Sequence, residues 1–235
     1  MNQQFSTTHW SLIKTAQDAN SPENRAALEQ LCASYWQPLY SFVRSRVEDS
    51  EKAADLTQGF FAHLLEKRIL ETVSNERGSF RSFLLVCIRN FMNNEYDRQN
   101  ALKRGGNRGH VSFDVAEAES RFAAFSKEPS PETMFEKQWA WSLLKKVHER
   151  LDETSSRRRP DLHQALKSFL TLDMDSSSYD RLQVEFGISR VGARVAVHRL
   201  RESFRKILRE EVAATLGENE GVEEEIARLL EVLTG

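Results

Sequence analysis

Residues 179–209 read YDRLQVEFGISRVGARVAVHRLRESFRKILR, and their pattern decides the fold class. Leu182, Val184 and Phe186 belong to a short helix. Gly187 stands where a tight turn needs positive φ, which glycine adopts without a Cβ clash. Ile188 can fill the gap between helices, and Ser189 can cap the next one through its hydroxyl. Beyond it Ala193, Val197, Leu200, Phe204 and Leu208 step by 4, 3, 4 and 4, so they share one face and pack inward. A glycine turn between two apolar helices at this spacing predicts a helix-turn-helix.

The second helix carries another stripe. Arg194, His198, Arg201 and Arg205 recur on an adjoining face. Arg190, Arg194, Val195, His198 and Arg199 are expected to point outward from its N-terminal half, the part of a recognition helix that reaches base edges in the major groove. The planar fork of arginine matches the two acceptors of guanine. Arg205, Lys206 and Arg209, farther along, suit phosphate.

Outward from this motif the apolar residues keep helical spacing, and no convincing period-2 alternation interrupts it. Ser21-Pro22-Glu23 and Ser130-Pro131-Glu132 are helix starts: a capping hydroxyl, a first-turn proline and an acid favoured by the helix dipole. Pro38 should bend or restart the first of these helices. A helix over 51–70 would turn Ala54, Phe61, Leu64 and Leu65 inward. Another over 80–98 would bury Phe83, Leu84, Cys87, Ile88, Phe91 and Met92. Gly105-Gly106-Asn107-Arg108-Gly109 then breaks the pattern. The expected class is all-α, with two helical domains joined by a flexible linker and a helix-turn-helix in the second. The boundaries are 1–104 for the first domain, 105–130 for the linker with a short helix near Ala116 to Phe125, 131–216 for the second domain, and 217–235 for an acidic C-terminal helix. That last helix, with Val222, Ile226, Leu229, Leu230 and Leu233 inward, is expected to pack on the second domain. In a sharper reading it covers the basic recognition face.

Hydrophobic residues make up 40% of the 235 and charged residues 29%, enough for a core and for solubility. The net charge of −2 conceals local patches. Arg98, Lys103, Arg104 and Arg108 occur without an acid among them. Residues 190–209 hold six arginines and Lys206 against Glu202, while residues 217–235 hold six glutamates against Arg228. Local basic patches set the field that a phosphate backbone feels. Nothing approaches a membrane span or a signal peptide. Cys32 and Cys87 form no CxxC pair. A cytoplasmic protein is expected. The histidines are scattered, and there is no GxxxxGK loop or HExxH motif. Asp173-Met174-Asp175 reads as a solvated loop. No catalytic residue, metal site or cofactor is expected.

The first half carries two further constellations. Ala54-Asp55-Leu56-Thr57-Gln58-Gly59-Phe60-Phe61 is an amphipathic helix. In Glu76-Arg77-Gly78-Ser79-Phe80-Arg81-Ser82-Phe83-Leu84 and Ile88-Arg89-Asn90-Phe91, aromatic and basic residues interleave. That mixture suits single-stranded DNA, whose bases stack on rings while cations follow the backbone.

With these motifs in this order, the sequence resembles the extracytoplasmic-function (ECF) group of the sigma-70 family. Asp55-Leu56-Thr57-Gln58 with Phe60 and Phe61 is similar to its core-binding helix. Arg77-Gly78-Ser79-Phe80-Arg81 and Arg89-Asn90 are similar to its melting and −10-reading segment, and Gly187 to Arg201 to its −35-reading motif. The resemblance implies a transcription-initiation factor that is not an enzyme, with core RNA polymerase and promoter DNA as partners. Asp55, Leu56, Gln58, Phe61 and Leu65 would bind polymerase. Phe80, Arg81, Arg89, Asn90, Asn94, Arg98, Lys103 and Arg104 would melt and hold the −10 element. Arg190, Arg194, Val195, His198 and Arg199 would read the −35 element. Where relatives usually carry an acid after Gln58, this chain has Gly59. Phosphorylation of Thr57 would restore a negative charge there, so a regulatory kinase joins an anti-sigma factor among the conceivable partners. The runner-up is a stand-alone helix-turn-helix regulator that dimerises on a palindrome.

Overall fold

The computed structural model describes residues 10–101, 115–124, 128, 130–155, 159–170 and 176–234, at 77, 97–101, 155 and 176–177 by the backbone alone. Every regular element among the described residues is helical. The chain forms two compact units, one of Met1–Ser142 with Ala213–Gly235 and the other of Leu143–Val212.

The first unit opens with α1 (Trp10–Gln17) and α2 (Asn24–Arg44). Pro38 lies inside α2, which runs through it without a break. Asp49 starts α3 (Ser50–Glu66) by accepting from the backbone N–H groups of Glu51 and Lys52 at 2.8 and 3.0 Å. Two short 3-10 turns, Ile69–Thr72 and Asn75–Arg77, lead to α4 (Phe80–Ala101). The core gathers along α2, where Leu39, Tyr40, Phe42 and Val43 are wholly buried. Phe60 of α3 meets Phe91 of α4 with ring centroids 5.7 Å apart, and Phe80 meets Tyr35 at 5.4 Å. Full burial of side chains this size contributes about 1.5–3 kcal/mol each.

The expected linker contains α5 (Val115–Ala124), which packs on α2. Gln37 donates to the Ala118 carbonyl, Tyr40 hydrogen-bonds Glu119, and Arg44 pairs with Glu119 at 2.8 Å. This stretch therefore belongs to the first unit. The first half of α6 (Pro131–Ser155) does too, through Gln138 donating to Ser41 Oγ.

The acidic helix, α10 (Val222–Thr234), groups with the first unit rather than with the second, on which it was expected to pack. Trp10 N–H donates to the Ala214 carbonyl, Glu218 N–H donates to the Asn75 carbonyl, and the Asn75 amide donates to Glu218. The reason is charge: Glu225 meets Arg81 of α4 at 2.6 Å.

The second unit takes the rest of α6, α7 (Pro160–Lys167), α8 (Ser176–Phe186) and α9 (Arg190–Ala213). Its core joins Val147, Leu151, Leu166, Leu182, Ala193, Val197, Leu200 and Ile207. The inward stripe expected for α9 is therefore in place, with Phe204 and Leu208 at its half-buried edge. Glu211 is buried between Lys146 and Arg150.

Candidate functional site

On α3, Asp55 and Leu65 face solvent, Leu65 with 42% of its surface exposed, and Leu56 and Gln58 are half-buried. Asp55, Gln58 and Leu65 are spaced for one helical face. Phe61 is not on that face; it is buried and stacks on Trp36 at 6.3 Å. Thr57 is wholly buried and its hydroxyl donates to the Ala53 carbonyl at 2.7 Å, so a kinase does not reach it in this conformation. Gly59 is buried too, so the surface there lacks no charge on its account.

On α4 the expected residues divide. Phe80 is core, edge-on to Trp10 and Tyr35. Arg81 is only 4% exposed, with ion pairs to Glu136 and Glu225 and its guanidinium 4.3 Å from the Trp139 ring centre. Arg89, Asn90 and Asn94 are exposed. Arg89 pairs with Glu132 at 2.9 Å, and Arg46 reaches the same oxygen at 2.8 Å. Partial burial opposes the Glu132 charge, yet its own backbone N–H, Arg89 and Arg46 hold the carboxyl below the usual carboxylate range. Sequence reasoning missed Asn93 and Tyr96, both exposed, Tyr96 by 69%. Their spacing of four and seven residues from Arg89 was the available signal. The side chain of Arg98, and Lys103 and Arg104 altogether, lie outside the described residues, as do Asp173 and Asp175.

On α9, Arg190, Arg194, Val195, His198 and Arg199 are all exposed, Val195 by 43%. The three residues between α8 and α9 make the turn. Gly187 takes φ +65°, and Ser189 Oγ accepts from Gly192 N–H at 3.1 Å. Two α8 residues that sequence reasoning passed over steady the arginines. Asp180 pairs with Arg190 at 2.6 Å, and Tyr179 lies under Arg194, its ring centre 5.3 Å from the guanidinium. Val191 is exposed as well and adds an apolar spot.

Residues 31–101 match the family model described as Sigma-70 region 2. That segment is similar to region 2 of the sigma-70 family. Neither a curated protein nor a solved structure matches the chain. The matched segment runs from within α2 to the end of α4, so it contains the α3 face and the α4 face but not α9.

Among the described residues no group of three or more His, Cys, Asp or Glu could hold a metal ion, and no helix is long and apolar enough to cross a membrane. Burial pushes the Cys32 thiol up to about 11 and the Cys87 thiol above its ordinary value, which keeps both protonated and poorly nucleophilic at neutral pH.

Proposed function

We propose that the protein is a sigma factor of the ECF group, which binds core RNA polymerase and directs initiation at particular promoters. The observation that carries this reading is the Sigma-70 region 2 match over residues 31–101. Exposed Asp55 and Leu65 and half-buried Gln58 on α3 support it, because an apolar spot edged by polar groups suits a protein partner. Half-buried Leu56 lies at its edge.

The α4 face would hold the −10 strand after opening. Tyr96 offers a ring for a base to stack on, worth about 1–3 kcal/mol per base. Arg89 would follow phosphate, and Asn90, Asn93 and Asn94 would meet base edges. Helices α8 and α9 would act as a helix-turn-helix on the −35 duplex. There Arg190 and Arg194 donate in pairs to guanine, Val195 touches a thymine methyl, and His198 and Arg199 complete the footprint. A good bidentate contact discriminates by about 1–3 kcal/mol. Polymerase supplies the chemistry, so the chain needs no catalytic group or cofactor, and its setting would be the cytoplasm.

Helices α8 and α9 lie outside the matched residues, and taken alone they favour a stand-alone regulator. Size-exclusion chromatography with bacterial core RNA polymerase separates the two readings. The sigma-factor reading expects co-elution that the D55A/Q58A double variant weakens about tenfold or more, as loss of interface anchors does. Folded protein that fails to co-elute with competent core would leave the regulator.

A further inference from the structure

Arg81 begins α4 in a pocket closed by other parts of the chain. Its Nη2 meets Glu225 of α10 at 2.6 Å and its Nε meets Glu136 of α6 at 3.2 Å. Arg228 spans the same two acids at 2.9 and 3.0 Å. The charges balance, two against two, but the donors of Arg81 do not. Among the described residues neither Nε nor Nη1 has a hydrogen-bond partner of proper geometry, although the side chain is 96% buried. A guanidinium presents five N–H donors, and buried donors left unmade are costly. A phosphate, with several oxygens and a geometry that fits the fork, would satisfy more of them.

The part of the chain that covers Arg81 is held mostly by polar contacts, with Leu216 and Leu229 as its buried large apolar side chains. Of α10, Glu225 and Leu229 are buried, while Leu230 stands out in solvent. Its approach rests on backbone contacts with the turn ahead of α4. Gly217 fits there because it has no Cβ: one would lie 2.4 Å from the Asn75 carbonyl oxygen. Glu218 then exchanges two hydrogen bonds with Asn75. An element with few buried apolar groups and many polar contacts opens at low free-energy cost.

We propose that residues 213–234 form a releasable clasp that withholds Arg81 from nucleic acid in the free protein. Opening the clasp gives Arg81 to a phosphate of the single-stranded −10 element, so DNA capture and clasp release are coupled. The inference rests on the reading of α4 as a DNA-contacting helix. It concerns a residue that helix does not display until the clasp opens.

The test uses the full-length protein and a fluorescent single-stranded oligonucleotide followed by anisotropy, with circular dichroism to check folding. Glu225→Gln, which unlocks the clasp, is expected to bind on the order of tenfold more tightly than wild type, a usual size for coupling between sites. Glu231→Gln makes the same charge change at an exposed position of α10 and should produce no comparable gain. Adding Arg81→Gln to Glu225→Gln should abolish the gain. In parallel, hydrogen exchange on wild type should show α10 losing protection when the oligonucleotide is bound. Equal effects of the two glutamine variants, a gain that survives Arg81→Gln, unchanged α10 protection at saturation, or no binding by any of the proteins would each overturn the proposal. Should Glu225→Gln fail to fold, the exchange measurement on wild type decides. Polymerase co-elution of wild type is scored separately, so failure of the clasp is distinguishable from failure of the sigma-factor reading.

Discussion

Asp152 lies between His163 and Lys167, its two oxygens 2.7 and 2.8 Å from their nitrogens. Burial alone would raise its pKa, but the hydrogen bonds from Lys167 and His163 win and hold the carboxyl below its ordinary value. A depressed carboxylate contributes stability above its unfolded pKa, and that stability is lost as pH falls through the folded value. The second unit should therefore weaken as pH drops below about 4. Asp152→Asn should flatten that part of the acid slope, read by urea unfolding at a series of pH values. The effect is modest, because the carboxylate is 43% exposed and water screens it. At this scale the exposed members of the candidate site were legible from helical spacing: Asp55, Arg89, Asn90, Arg194 and His198 all lie where the period places them. The period also turned Phe61 inward, where it is buried, although the resemblance had assigned it to polymerase; Leu65, expected inward, is exposed at the end of α3, and the burial of Phe80 and Arg81 was not legible. Periodicity gives the face of a helix but not what covers it, and Arg81 is covered by Glu136 and Glu225, far along the chain.

Among the elements, the α8–α9 turn was the most legible, because its chemistry is local. Gly187 has φ +65°, and a Cβ there would meet nothing within 4 Å, so any penalty for substitution comes from the backbone alone. Gly187→Ala should destabilise the second unit by about 1–2 kcal/mol, and Gly187→Asn by less, because asparagine tolerates the left-handed region. Denaturant midpoints at constant slope would check this; an alanine variant as stable as the parent would contradict it. Helix α5 was half-legible. Its helical residues were suggested, but its docking depends on Glu119 finding Tyr40 and Arg44, a contact between distant segments. Helix α10 shows the same limit. Its apolar stripe predicts that it packs, and only the placement of Arg81 shows on what.

For the whole molecule, the all-helical class was visible in the periodicity. The division into units was not. Glycine-rich composition near residue 105 marked a break in helical pattern, whereas the two compact units divide within α6 and the first recovers the C-terminal residues. A net charge of −2 averages over basic stretches of sequence at 98–108 and 190–209, and the proposed function needs such stretches to meet DNA in the company of polymerase. The most direct measurement is run-off transcription by core polymerase on a fragment library of genomic DNA, with and without the protein. Transcripts with defined 5′ ends that depend on the protein, and that fade with D55A/Q58A, are the predicted result. A protein that binds duplex DNA on its own and leaves the start sites of core polymerase unchanged would contradict the account.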